Sequence, residues 1–400
     1  MTAIDGFRVA LTLGATANLS SYYVLPAGAT QPRQLQALFA DWLNVKSYGA
    51  VGDGVADDTA AIQAAIYAGV NKVVWFPPGI YKVGNLLLTQ NCTLVGSGPF
   101  ATYLLCRENN ITIFRYLAAT PSVRFEIRGM TLLCVGTTGC TGINLDGGTT
   151  TARCSSIRLT DIGLEGGFDY GIKLRYCANA YLNNIFGAYP TDCFYIDNCG
   201  DIDLYGCRAN LGTGYGFYII GGPGAFDEGI RMANCAANTQ AYGIRIEGQE
   251  WGTAASCSWT TCANGALIAN NSAAWKFSSC EFSVAGVTSG NTSVVLGSGS
   301  TRFAFTGCQF SNSTYGISMG GAYHQLGNSM FVANSLGDIL LPNTQSSTIF
   351  GNNCDSNGVG VPNSILETGT ANHNAVTGNS CRLAVALVGA GSLSTGNINY

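Results

Sequence analysis

The chain has 400 residues, of which 53 are Gly, 10 are Pro and 47% are hydrophobic, while only 10% carry charge. A length that would ordinarily divide into two or three globular domains thus has the composition of stacked strands joined by tight turns, and a formal net charge of −4 argues against a nucleic-acid partner, which needs a basic face. No run of about 18 apolar residues suggests a membrane span, and the start MTAIDGFRVALTLGA lacks the basic segment and apolar run of a Sec signal.

Residues 1–43 differ in composition from the rest and read as an attachment or neck segment. Within them Leu35, Leu38, Phe39 and Trp42 follow Pro32 at helical spacing, with Pro suited to a first helical turn. One apolar stripe needs a partner, either the end of the next domain or two further copies of itself in a trimer. The stretch Asn44–Ile66, NVKSYGAVGDGVADDTAAIQAAI, then reads as a cap. Gly49, Gly52 and Gly54 permit sharp turns, Asp57, Asp58 and Thr59 supply oxygens for a helix N-terminus, Ile62, Ala65 and Ile66 share one helical face, and Gly69 stands where a left-handed C-cap belongs. The stretch closely resembles the signature of the pectate-lyase-like parallel β-helix superfamily, V-x-x-[FY]-G-A-x-G-D-G-x-x-D-D-T-x-A-I-Q-x-A-I. The strand and Pro-Gly turn VVWFPPGIYKV (Val73–Val83) and CTLVGSG (Cys92–Gly98) follow, as they do in that family. The resemblance implies an architecture shared by tailspikes, hydrolases and lyases; the reaction has to come from other residues.

Residues 44–388 continue as a ladder of short repeats. An apolar-x-apolar pattern aligns Ile162, Ile185, Cys207, Cys235, Cys262, Cys280, Cys308, Ser329, Cys354 and Cys381, predicting a column of inward thiols that behave as small hydrophobes. With no CxxC pair and only His324 and His373, neither metal ligation nor another cofactor is expected. A second strand recurs in each repeat: Tyr170–Leu174, Cys193–Asp197, Tyr215–Ile219, Tyr242–Ile246, Ala266–Asn270, Ser293–Gly297, Tyr315–Met319 and Asp338–Pro342. Period-two alternation at repeat spacing is the pattern of an all-β, right-handed, single-stranded parallel β-helix. Ala384–Val388 reads as its last strand, and 389–400 as a short tail.

Inward positions form the core of such a solenoid, so chemistry falls to outward residues. Twelve of the 23 acidic residues lie between Asp146 and Glu250. Alternation puts Asp201 and Asp203 on one outward face, roughly 6.5 Å apart at two residues' rise. Stacking predicts one outward column of Arg158, Tyr181, Asp203, Arg231, Ser258 and Lys276, and another of Arg175, Asp197, Ile220 and Glu247. Asp197 and Glu247 then stand two rungs apart, roughly 9.6 Å, within reach of the carboxylate separations of roughly 5 to 9.5 Å that glycoside hydrolysis uses. Asp227 with Glu228, and Glu247 with Glu250 beside Trp251, offer further pairs. Tyr181, Tyr205, Arg231 and Trp251 are candidate substrate contacts, with Tyr195 and Tyr218 as further ring faces. Against these stands the plainer reading of outward Asp and Arg as a surface ion-pair ladder of small energetic value. The NTD, GHG and RIK motifs of plant-type polygalacturonases are missing, the nearest being RIE at Arg245–Glu247.

The order TxPRxL, FAD and NVKSYGAVGDG across Thr30–Gly54 also resembles the junction of attachment segment and β-helix in bacteriophage tailspikes and tail fibres. That resemblance implies a homotrimeric virion protein, made in the host cytoplasm and joined to other tail proteins through its N-terminus. It would act at the cell surface by binding and depolymerising a bacterial polysaccharide, with hydrolysis preferred over lyase chemistry. A non-catalytic receptor-binding tail protein and a cellular lyase or hydrolase are the alternatives.

Overall fold

The structure, a computed structural model, describes residues 23–25, 27–34, 37, 41–88, 91–117, 124–136, 138–149, 153–222, 229–285, 290–356 and 363–399. The chain coils into a parallel β-helix with three ladders, and each rung visits them in turn. One complete rung runs from Gly200–Tyr205 through Arg208–Asn210 to Tyr215–Ile220. The third ladder is a sheet of 13 parallel strands from Leu86–Leu87 to Ala384–Ala386. All eight second strands read from the sequence lie in it, with ends within one residue of those expected. The first ladder opens at Trp42–Asn44, paired with Val73–Phe76, and takes in Leu393–Thr395 at its far end.

The corner between the first and second ladders explains the repeat. In Phe125–Cys134, Cys154–Gly166 and Cys177–Ala188 one strand bends through both ladders, with Gly129, Asp161 and Asn184 at positive φ. Later rungs break at the same place, at Gly206, Asn234, Ser256, Ser279, Gly307 and Asn328, all at positive φ. A left-handed residue turns the chain sharply, and Gly and Asn tolerate it best. The next residue points inward, giving a buried column of Cys207, Cys235, Cys257, Cys280 and Cys308 that passes into Ser329, Asn352 and Asn379.

This corrects the single thiol column. Cys262 pairs in register with Val284, and Cys354 and Cys381 belong to the column of Phe310 and Phe331 on the second ladder. Cys257 and Cys262 share one rung, so the pattern can be anchored on either, and in the last rungs Asn352 and Asn379 hold the corner position while the nearest Cys stands two residues later. All sixteen are nonetheless buried and free. Beside them Trp259, Phe282, Phe310 and Phe331 stack with ring centroids 5.2, 5.2 and 4.7 Å apart, close to the interstrand spacing of about 4.8 Å.

At the N-terminal end helix Thr59–Ala68 covers the core with Ile62, Ala65 and Ile66, all fully buried. The roles of the paired aspartates differ from expectation. Asp57 caps the helix, accepting from the Thr59 amide and hydroxyl. Buried Asp58 instead clasps the preceding turn, accepting from Val51 N at 2.7 Å and Gly52 N at 3.0 Å. Nor is Gly69 left-handed, since its φ is −87°; a Cβ there would meet Val74 Cγ2 at 2.3 Å, so close packing excludes a side chain. In the neck, Arg33–Gln34 pairs antiparallel with Tyr23–Val24 rather than opening a helix at Pro32, and Trp42 already belongs to the first rung. Leu35, Leu38 and Phe39 lie outside the described residues.

Candidate functional site

The third ladder presents an outward face of half-buried tyrosines. Register stacks Lys173, Tyr195, Tyr218 and Arg245 in one column and Asp146, Arg175, Asp197, Ile220, Glu247 and Asn270 in the next. Tyr170 meets Tyr195 edge-on at 5.1 Å, Tyr195 meets Tyr218 at 5.4 Å, and Tyr215 stacks on Tyr242 at 4.9 Å. Lys173 Nζ lies 4.6 Å from the Tyr170 ring centre, and the Arg245 guanidinium lies 5.3 Å from those of both Tyr215 and Tyr218. The expected column containing Asp197 and Glu247 is therefore present. Tyr170, Tyr215 and Tyr242 were missed, although the recurrent Tyr-Gly that opens YGIKL, YGFYI and YGIRI marks one register position.

Glu247 is the most tightly held carboxylate of this face. Tyr218 Oη donates to its Oε2 at 2.7 Å, and Arg245 donates to its Oε1 through Nε at 2.8 Å and again through Nη2. Burial alone would raise its pKa, but the Tyr218 and Arg245 hydrogen bonds outweigh it and hold the group below the ordinary glutamate value. The same contacts act on the phenols: burial, then the bond to Glu247, raises Tyr218, and burial with the nearby Asp197 charge pushes Tyr195 up to about 12. Asp197 accepts from Asn198 Nδ2 at 2.6 Å and pairs with Arg175 Nε at 3.2 Å. On the same sheet Asp192, held above its usual range by burial, accepts from the Tyr215 amide at 2.8 Å.

The remaining candidates flank the corner that leads into the first ladder. Glu247 and Glu250, with Gly221, Gly248, Asn270 and Asn271, line a concavity of about 590 Å³. Among the described residues Glu250 has no cationic partner. Asp201 and Asp203 do point outward together, but both bind one guanidinium, with Arg231 Nε 2.5 Å from Asp203 and Nη1 3.5 Å from Asp201. All three are well exposed, the setting in which an ion pair is worth least. Trp251, Arg231 and Lys276 line a smaller recess of about 210 Å³, while Tyr181 and Tyr205 stand on the outward side of the first ladder. The column through Asp203 runs Arg158, Tyr181, Asp203, Arg231, Thr253, Lys276. Thr253 replaces the expected Ser258, which starts a second-ladder strand, and the cause is the slip that misplaced Cys262. Asp227 and Glu228 lie outside the described residues. His324 is buried, its Nδ1 accepting from Phe303 N and its Nε2 bonded to Gly320 O, and burial holds it down at about 4.

A family model described as rhamnogalacturonase A/epimerase, pectate lyase-like, matches residues 42–292. Among curated proteins the chain is 48% identical over 72 residues to mannuronan C5-epimerase AlgE5 of Azotobacter vinelandii, which is 15% of this chain and 7% of that protein. It is 44% identical over 54 residues to depolymerase 1, capsule K30/K69-specific, of Klebsiella phage K5-2, which is 13% of this chain and 7% of that one. The matched stretch is thus under a tenth of either relative's length. Among solved structures, the A-module of A. vinelandii mannuronan C-5 epimerase AlgE4 superposes with a TM-score of 0.65 at 16% identity, covering 88% of this chain and 99% of that one. Tailspike protein 3 of bacteriophage CBA120 gives 0.61 at 13% identity, covering 94% and 65%. Both share the parallel β-helix fold, and the match over more than half the sequence places this chain in the rhamnogalacturonase A/epimerase, pectate lyase-like family.

Proposed function

We propose that the chain is the β-helical body of a phage tailspike that binds and hydrolyses a bacterial surface polysaccharide, assembled as a homotrimer and joined to other tail proteins through residues 1–43. The observation that carries this reading is the tyrosine face of the third ladder, which runs into the concavity lined by Glu247 and Glu250. Aromatic faces flanked by charge suit pyranose rings, whose C–H faces stack while their hydroxyls take hydrogen bonds. Hydrolysis needs one carboxylate ionised and one able to give a proton. Glu247, held ionised by Tyr218 and Arg245, suits the base or nucleophile, and Glu250, the other carboxylate lining the same concavity, is assigned the acid. The capsule specificity named for the Klebsiella phage relative and the uronate polymer named for the epimerases support a capsule or exopolysaccharide as substrate.

The test is incubation with purified capsular and O-antigen polysaccharides, following reducing ends and the ultraviolet absorbance of unsaturated products. New reducing ends without absorbance support hydrolysis, whereas absorbance makes the reaction an elimination and shifts attention to Arg245 and Arg231. A second reading has its own support: Asp197, Asp201, Asp203 and Glu247 each face an arginine, as surface ion pairs do. It predicts polysaccharide binding with neither signal, which makes the protein a receptor-binding adhesin.

A further inference from the structure

Cys106, Cys134 and Cys140 form a closed sulfur triangle. Their Sγ atoms all lie within 4.8 Å of one another, and among the described residues no other three His, Cys, Asp or Glu side chains come so close together. The other cysteines behave differently because of the solenoid. In the column Cys207, Cys235, Cys257, Cys280 and Cys308 each residue comes from the next rung, so first and third sulfurs stand roughly 9.6 Å apart. The triangle closes because Cys106 and Cys134 are register partners at the end of the second ladder, while Cys140 faces them from across the corner, one residue before strand Thr141–Asp146.

The surroundings are electronegative and tightly shaped. Cys140 Sγ lies 3.3 Å from Glu108 O and 3.7 Å from Thr138 O, and Cys134 Sγ lies 3.6 Å from Gly136 O. Asp169 closes the same loop by accepting from Gly139 N at 3.1 Å. Gly136 leaves the space open, since a Cβ there would stand 2.6 Å from Glu108 O and 3.0 Å from Cys140 Sγ. All three cysteines are buried and free.

We infer that this triangle is a site for a thiophilic divalent cation of the zinc type, bound by three cysteine sulfurs at the corner between the second and third ladders. Zn–S bonds of about 2.3 Å in tetrahedral geometry place sulfurs about 3.8 Å apart, a spacing compatible with three sulfurs that all lie within 4.8 Å of one another. Binding forms three metal–sulfur bonds and passes the three thiol protons to solvent, leaving the fourth position to a water or a backbone carbonyl. Soft thiolates select zinc over the calcium or magnesium that carboxylates prefer. The site lies rungs away from Glu247, so it ties the first turns of the solenoid together and takes no part in the proposed hydrolysis.

The experiment is titration of the reduced full chain with Zn2+ against a chromophoric chelator, and with Cd2+ followed by its sulfur-to-metal ultraviolet band. One equivalent per chain is expected, together with an upward shift of the melting temperature. Both effects should vanish in Cys134→Ser and Cys140→Ala and persist in Cys257→Ser, which removes a column sulfur. Cadmium resonance spectra of the unsubstituted chain count the sulfur ligands without any variant, so a variant that misfolds leaves the test intact. Failure to compete with the chelator, a cadmium signal without three sulfurs, equal binding by the Cys134 variant, or a disulfide within the trio overturns the site. Polysaccharide cleavage is read separately and decides none of these outcomes.

Discussion

At the scale of single residues, Glu247 and Asp338 show how surroundings decide what a carboxyl does. The hydrogen bonds from Tyr218 and Arg245 keep Glu247 ionised below the ordinary glutamate range, so the acid limb of kcat/KM is expected below about pH 4.3. Glu247→Gln should cut cleavage by roughly 100- to 10,000-fold without altering the melting temperature appreciably. Tyr218→Phe removes one bond to the charged form and should move the acid limb upward. A limb that ignores Tyr218 assigns the base to another residue. Asp338 is the opposite case. It is fully buried, its Oδ1 accepts from Ser356 and Asn334, and its Oδ2 has no hydrogen-bond partner among the described residues. Burial raises its pKa to about 6. Because the folded state then holds a proton that the unfolded state has lost, stability declines as pH rises from the unfolded value of about 4 to about 6. Asp338→Asn removes that decline, so denaturant unfolding should show the variant gaining roughly 3 kcal/mol on wild type between about pH 4 and about pH 7. An unchanged difference across that range would mean that the Asp338 charge is already compensated.

At the scale of elements, the first corner column carries the argument. Its members change from Cys to Ser to Asn toward the C-terminus, and the Asn side chains replace packing by a hydrogen-bonded ladder. Asn379 Oδ1 accepts from Asn352 N and from Asn352 Nδ2, both at 2.9 Å, while its Nδ2 donates to Ile349 O at 3.2 Å and Asn397 Oδ1 at 2.9 Å. Asn379→Ala strands several buried groups at once and should cost about 3 kcal/mol in denaturant unfolding; Cys257→Ser, with weaker sulfur bonds to lose, should cost less. Equal losses would place the stability in packing volume rather than in the ladder. The same corner shows what the sequence could reveal. The period-two strands, the buried face of the cap helix and the outward column through Asp197 and Glu247 are local patterns, and they appear as read, whereas the roles of Asp58 and Gly69 at the two ends of that helix do not. Cys257 and Thr253 were displaced because nothing local distinguishes one Cys of a rung from another; only the left-handed residue before it does, and its conformation is a property of the folded corner. The tyrosine face was half legible for a related reason. Tyr195 and Tyr218 sit within strands already recognised, whereas Tyr170, Tyr215 and Tyr242 stand at strand starts, where pairing with the neighbouring rung decides which way they face.

At the scale of the whole molecule, the question is whether one chain carries a complete site. Glu247 and Glu250 belong to one turn of one rung and line one concavity, so the proposed acid and base come from the same subunit even if three chains associate. This separates the proposed hydrolase from a trimer whose sites lie between subunits. Sedimentation should give the mass of a trimer; a fully active monomer would remove assembly from the mechanism. Glu247→Gln and Glu250→Gln chains, differently tagged and refolded together, should then give mixed trimers as inactive as either parent, because every chain lacks one member of its own pair. Recovery of activity in the mixed trimers would mean that the Glu247 of one chain works with the Glu250 of its neighbour. The groove would then lie along the line where two solenoids meet, and the tyrosine face would serve a sugar chain held between them.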